Sequence, residues 1–171
     1  MENNQSKGLQ FTRRFTKKDI SVFDQFEYDY RTSVIRNPTG EVVFEMNNVE
    51  VPKQWSQIAT DILAQKYFRK AGVPQEDGST GRETSVKQVA HRLANCWKSW
   101  GERYGYFASA QDATIFYEEL VYCILNQACV PNSPQWFNTG LYESYGIKGK
   151  PQGHYFVDPA DNQLKKSTSA Y

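Results

Sequence analysis

The sequence is poor in the residues on which most recognisable chemistry is built. Only three cysteines and two histidines occur among 171 residues. An odd thiol count without paired spacing argues against a disulfide framework and fits a reducing compartment. No Cys or His recurs at metal-ligand spacing, so the pattern gives a zinc site no foundation. Charge of one sign is missing as well: 20 Lys and Arg face 19 Asp and Glu, for a formal net charge of +1. Domains whose main task is to hold a nucleic-acid backbone carry a clear basic excess, so no nucleic-acid partner is expected. No apolar run approaches the roughly 20 residues that span a bilayer, and no membrane association is expected. Met1 to Gln10 lacks the apolar stretch of a secretory signal, which points to a cytoplasmic protein. There is no glycine-rich loop to cradle a phosphate and no serine-hydrolase elbow. Nothing in the pattern assembles a nucleophile, its base and an oxyanion hole.

What is present is aromatic. Hydrophobic residues make up 39% of the chain while rings reach 15%, so a core can form but must be built on rings. The length suits about one domain. Met1 to about Phe15 forms a polar tail that turns basic at Arg13, Arg14, Lys17 and Lys18. It reads as a solvated leading segment rather than a phosphate-binding arm. Residues 16–130 hold a β-hairpin followed by three helices, and the character changes again over 131–171. In the hairpin, β-branched Arg31 to Arg36 leads into the turn Asn37-Pro38-Thr39-Gly40. Alternation over Glu41 to Met46 then places Val42, Phe44 and Met46 on one face.

The first helix is predicted to open at Pro52, share a face among Trp55, Ile58, Ala59 and Ile62, and stop near Gly72. Gln75 to Glu83 reads as a mobile loop. Ser85 with Gln88 three residues on predicts a capping box for the second helix. Its stripe is Val86, Val89, Ala90, Leu93, Trp97 and Trp100. The third helix starts near Ser109 and Asp112 and carries Phe116, Leu120, Cys123, Ile124, Gln127 and Ala128 along one side. Gly140 to Gly153 is loop-like, Tyr155-Phe156-Val157 suits a short strand, and the polar stretch after Asp158 reads as disordered or paired with sequence outside the chain.

Cys96, Cys123 and Cys129 read as small hydrophobes on helix faces. His91 falls beside an apolar stripe and His154 has no visible partner. Trp97 and Trp100, at helical spacing, read as core rather than as a platform for stacking bases. One segment is left over. Pro131 to Gly140 has two prolines bracketing Asn132-Ser133, so Asn132-Ser133-Pro134 is expected to be an ordered, non-helical corner. Physics alone leaves two readings level: a rigid connector, or a ligand-facing corner whose Ser133 hydroxyl and nearby backbone N–H groups meet an anionic group.

Pro131-Asn132-Ser133-Pro134-Gln135-Trp136-Phe137-Asn138-Thr139-Gly140-Leu141 resembles the signature near the start of the catalytic region in adenosylcobalamin-dependent (class II) ribonucleotide reductases. Collinear stretches support the resemblance. They are Arg36 to Gly40 leading into Val49-Glu50-Val51-Pro52, and Lys66-Tyr67-Phe68-Arg69-Lys70-Ala71-Gly72-Val73-Pro74. Gln152-Gly153-His154-Tyr155, Val157-Asp158-Pro159 and the closing Ser167-Thr168-Ser169-Ala170-Tyr171 follow in order. The likeness runs from about Arg13 to Tyr171. Against the long bacterial form of the family, the Gln75 to Glu83 loop is short, and no amino-terminal ATP-cone pattern is visible.

The resemblance implies a fold that is mainly α with a small β-hairpin (α+β). Its amino-terminal helical region would lead into the first part of an α/β ten-stranded barrel that is not complete in this chain, with 131–171 as the truncated start. It implies a ribonucleoside-diphosphate reductase that makes deoxyribonucleotides by cobalamin-initiated thiyl-radical chemistry. The cofactor would be adenosylcobalamin, and the partners a ribonucleotide substrate, the remaining barrel in cis or trans, and an external dithiol such as thioredoxin. The family's redox and thiyl cysteines, its catalytic glutamate and its cobalamin-binding region match nothing here, and Cys96, Cys123 and Cys129 match none of the catalytic cysteines. The expected chain is therefore inactive alone. One functional position carries over: Ser133, with Asn132 and Pro134 as neighbours, matches the hydroxyl residue that holds substrate. Two other readings remain open, one piece of a split reductase and a non-catalytic interaction module derived from one.

Overall fold

Two β-strands joined at Asn37–Gly40 form the first hairpin, in a computed structural model that describes residues 8–151 and 153–168. Met1 to Lys7, Gln152 of the Gln152-Gly153-His154-Tyr155 stretch, and the closing Ser169, Ala170 and Tyr171 lie outside the described residues. Strand β1 (Tyr28–Arg36) pairs antiparallel with β2 (Val42–Pro52). The turn is held by Asn37, whose side-chain oxygen accepts from the Thr39 and Glu41 backbone N–H groups at 3.1 and 2.9 Å. Gly40 takes φ +88°, a value that suits glycine.

β2 runs further than the alternation around Val42–Met46 indicates. The register slips between Arg31 and Ser33, and opposite that slip Asn48 adopts φ +57°. This is a β-bulge with an Asn in the left-handed position. The extra residue reverses the side-chain parity, so Met46, Val49 and Val51 are all buried although 46 and 49 differ by an odd number. The strand therefore consumes Pro52, and the helix predicted to open there does not.

Helix α1 spans only Gln57–Ile62, capped by the Ser56 hydroxyl accepting from the Ala59 N–H. It passes directly into a π-helical turn, Leu63–Tyr67. The buried face is Thr60, Leu63, Ala64 and Phe68, whereas Ile58 is 71% exposed and Ile62 is 42% exposed. The predicted face of Ile58 and Ile62 is thus turned outward. Gln75 to Glu83 is not a free loop either: β3 (Val73–Pro74) and β4 (Thr80–Gly81) close a small hairpin, and Glu83 is fully buried.

Helix α2 (Val86–Arg103) starts at the predicted Ser85–Gln88 capping box. Val86, Val89, Ala90 and Leu93 are fully buried, Trp97 packs at the edge of the core, and Trp100 is 44% exposed. Helix α3 (Ala110–Leu125) starts after Ser109, as expected, and packs along α2. It stops at Leu125, so Gln127 and Ala128 fall outside it, and its buried residues are Ala113, Val121, Ile124 and Leu125. The indole of Trp55 donates to the Leu125 carbonyl at 2.7 Å, satisfying a C-terminal carbonyl of α3.

From Leu9 to Thr16 the leading segment is a strap rather than a solvated tail. Leu9 forms a parallel bridge to Phe107, the Phe11 N–H donates to Asp112 at 2.8 Å, and Thr16 bonds Glu119 through both its backbone and its hydroxyl. Arg13 pairs with Glu118. The basic charge of this stretch is spent in part on α3 carboxylates.

Beyond α3 come α4 (Ser133–Asn138), α5 (Leu141–Tyr145) where a loop was expected, and β5 (Tyr155–Val157) at the predicted strand. Glycines at positive φ bracket α5, Gly140 at +80° and Gly146 at +66°. β5 pairs with β6 (Leu164–Lys166), so residues 158–166, expected to be disordered or paired with sequence outside the chain, fold back on β5. Both strands of this hairpin are exposed along their length. The architecture is α+β. The main core lies where the β1–β2 hairpin, the α1 region and α4 cover the α2–α3 pair. No helix among the described residues is long and apolar enough to cross a membrane.

Candidate functional site

Ser133 is the first residue of α4, not part of a non-helical corner. Asn132 keeps the extended geometry (φ −69°, ψ 162°), and its side chain caps the helix by accepting from the Gln135 N–H. Pro134 then occupies the first turn, where a missing N–H costs nothing because first-turn amides have no helical partner. This local chemistry narrows the anion-binding reading. Gln135's backbone amide is already satisfied and Pro134 has none, while the exposed Ser133 hydroxyl remains as a side-chain donor at the corner.

That hydroxyl is not alone. Its Oγ lies 3.0 Å from the phenol oxygen of Tyr67, the last residue of the π-helical turn. The Tyr67 ring is gripped by two rings of α4, with centroids 5.5 Å from Trp136 and 5.1 Å from Phe137. Such pairs contribute beyond the area they bury. Single-turn π-helical insertions recur at functional sites.

Beneath the pair sits a buried ion pair that sequence periodicity did not reveal. Arg92 and Glu83 have no solvent exposure, and Arg92 Nε donates to Glu83 Oε1 at 2.7 Å. Nη2 also reaches Glu83 Oε2 at 3.4 Å and donates to the Trp136 carbonyl at 2.6 Å, while Nη1 donates to the Thr139 carbonyl at 2.8 Å. A cation thus closes the C-terminal carbonyls of α4, where the helix dipole favours positive charge. Glu83 also accepts from the Arg69 N–H at 2.7 Å and from the Tyr145 hydroxyl at 2.8 Å. Burial and the neighbouring Glu83 carboxylate push the Tyr145 phenol upward, so it stays a donor. One buried pair therefore ties α2, α4, α5 and the chain leaving the π-helical turn together.

Gly140 completes the seat. At φ +80°, with its Cα pressed to α2, a Cβ there would lie 1.9 Å from the Arg92 carbonyl oxygen. Alongside Tyr67 runs an open cleft of about 250 Å³ lined by Trp55, Ile62, Pro131 and Trp136 among others. Complete ligand sites usually enclose about 300–1,000 Å³. A larger cleft of about 400 Å³ lies on the other side of α4, against Cys96, Trp100, Tyr142 and Glu143.

The other sequence candidates are dispersed. Cys96 is buried, Cys123 and Cys129 are half-buried, and burial pushes all three thiols up, away from the reactive thiolate. His91 Nδ1 lies 2.8 Å from the Tyr117 hydroxyl, and burial lowers its pKa. His154 lies in the exposed stretch before β5. Among the described residues no group of three or more His, Cys, Asp or Glu side chains is arranged to hold a metal ion.

Tyr67, Glu83 and Arg92 were not singled out by the sequence. The signal was present but indirect. Arg92 falls one residue before Leu93 and three after Val89 on a buried stripe, a position where a charge requires a partner. Its partner lay in a segment that glycine and hydroxyl content marked as loop.

A family model described as class II vitamin B12-dependent ribonucleotide reductase matches residues 29–127. The chain is similar to the vitamin B12-dependent ribonucleotide reductase of Bradyrhizobium diazoefficiens, at 45% identity over 192 residues, covering 95% of this chain and 15% of that protein. It is similar to the protein of the same name from Agrobacterium fabrum, at 44% over 191 residues, again 95% and 15%. A Streptomyces clavuligerus relative of that name is 42% identical over 137 residues, covering 79% of this chain and 14% of that protein. The chain thus spans 15% of the length of the first two relatives.

Proposed function

The chain belongs to the class II vitamin B12-dependent ribonucleotide reductases, and from that premise we propose that it forms one wall of a ribonucleotide site completed by the rest of the reductase, in cis or in trans. The single observation that carries this reading is the exposed Ser133 hydroxyl, fixed at the first turn of α4 and backed by the buried Arg92–Glu83 pair. A hydroxyl held in one place loses little freedom when it binds, so more of its hydrogen-bond energy appears as affinity. Asn132 serves the site by capping α4, and Pro134 by fixing the turn. In the complete enzyme the reaction is reduction of ribonucleoside diphosphates, with an external dithiol such as thioredoxin restoring the reductant. Adenosylcobalamin supplies the radical initiation when bound, but the residues described here do not fit it. Its seat and the reacting cysteines belong to the remainder, and this chain's part is to bind and orient substrate. The residues 131–171 are read as the start of the catalytic barrel.

The test is reconstitution. The purified chain, mixed with adenosylcobalamin, a dithiol and CDP, is expected to form no dCDP. The same chain combined with the remaining reductase polypeptide is expected to restore turnover. Activity from the chain alone, or silence from a mixture that demonstrably associates, would overturn the proposal, the second outcome favouring a derived interaction module.

A further inference from the structure

Two hydroxyls 3.0 Å apart at the rim of a cleft have a defined hydrogen-bond capacity. Each carries one O–H and two lone pairs. When they bond each other, one O–H is consumed, whichever residue donates. The other remains to point outward: the phenol proton if Ser133 donates to Tyr67, the seryl proton if Tyr67 donates to Ser133. The pair thus acts as a unit with one outward donor.

Tyr67 is positioned for this on three sides. Its ring is confined by Trp136 and Phe137, its carbonyl lies 3.5 Å from Arg92 Nη2, and the next residue, Phe68, is 2% exposed. The phenol oxygen therefore has little freedom to leave Ser133. Helix α4, at six residues, offers no extended run of free amides to take over the task.

We propose that Tyr67 is a positioning residue for substrate recognition: it orients the Ser133 hydroxyl, and the two present a single donor to an acceptor oxygen of the ribonucleotide. This rests on the reading of Ser133 as a substrate contact and extends it to a residue on a separate element. The coupling makes a specific demand on energetics. Removing either hydroxyl breaks the same unit, so the losses do not add.

The experiment is a double-mutant cycle in the reconstituted reductase, with CDP as substrate and Tyr67→Phe, Ser133→Ala and the double variant compared. Tyr67→Phe keeps the ring and its packing, and an unchanged melting temperature of the chain verifies this. The expected result is a rise of about tenfold in KM for CDP in each single variant with kcat nearly retained, the size of one hydrogen bond. The double variant is expected to be no worse than Ser133→Ala. Wild-type kinetics for Tyr67→Phe beside a weakened Ser133→Ala would overturn the role of Tyr67 and leave Ser133 standing. Losses that multiply in the double variant would overturn the pairing. No effect from any variant would remove the Ser133 reading, and this inference with it.

Discussion

Arg92 shows how one residue governs several segments. Its guanidinium and the Glu83 carboxylate are both without solvent exposure, so neither charge is compensated by water. Removing one partner strands the other. Arg92→Met is expected to cost about 3–5 kcal/mol of unfolding free energy, with part recovered in the Arg92→Met, Glu83→Gln double variant. Urea unfolding of the purified chain measures both, and a loss below about 1 kcal/mol would show that the pair is dispensable. His91 gives a pH signature of the opposite kind. Burial lowers its pKa below the ordinary 6.5, so the unfolded chain binds the proton more readily. Stability from this group is therefore full above about pH 6.5 and is lost as pH falls toward the depressed folded value. His91→Gln is expected to flatten the melting temperature against pH below about 6.5, and an unaltered slope would contradict this. Neither residue's role could be read from periodicity, because that signal sorts apolar from polar and is silent on which polar side chains find partners inside.

Among the elements, legibility followed the locality of the signal. The α2 start was written in Ser85 and Gln88, the α3 start in Ser109, and the turn of the β1–β2 hairpin in Asn37 to Gly40. Each is decided by residues within one turn of each other. Ser85→Ala is accordingly expected to destabilise the chain by about 1 kcal/mol in denaturant titration. The start of α1 was misplaced because Pro52 suits both the end of an edge strand and the first turn of a helix. The β-bulge at Asn48 decided for the strand by keeping Val49 and Val51 on the buried face. The candidate site was half legible. Ser133 was identified through its motif, but Tyr67 and Gly140 gain their roles only from long-range packing. Gly140→Ala combines a left-handed backbone with a clash against the Arg92 carbonyl. It is expected to cost about 3 kcal/mol or more and to displace α4, lowering the melting temperature. A neutral substitution would mean that α4 does not depend on this close approach.

At the scale of the molecule, the well-packed α2–α3 core contrasts with apolar side chains left outside it. Ile58 is 71% exposed, Val130 70% and Leu164 68%. Such exposure suits the proposed place of the chain beside further reductase polypeptide, since it spans 15% of the length of the first two relatives. The isolated chain is therefore expected to bind an apolar dye such as anilinonaphthalene sulfonate in its native state. Ile58→Ser with Val130→Ser should reduce that binding without lowering the melting temperature. The central claim concerns where the nucleotide sits, and amide hydrogen exchange on the reconstituted reductase tests it most directly. Adding CDP is expected to slow exchange at Tyr67–Phe68 and across residues 135–138, and Ser133→Ala should abolish that protection. Protection confined to residues outside this chain would contradict the account.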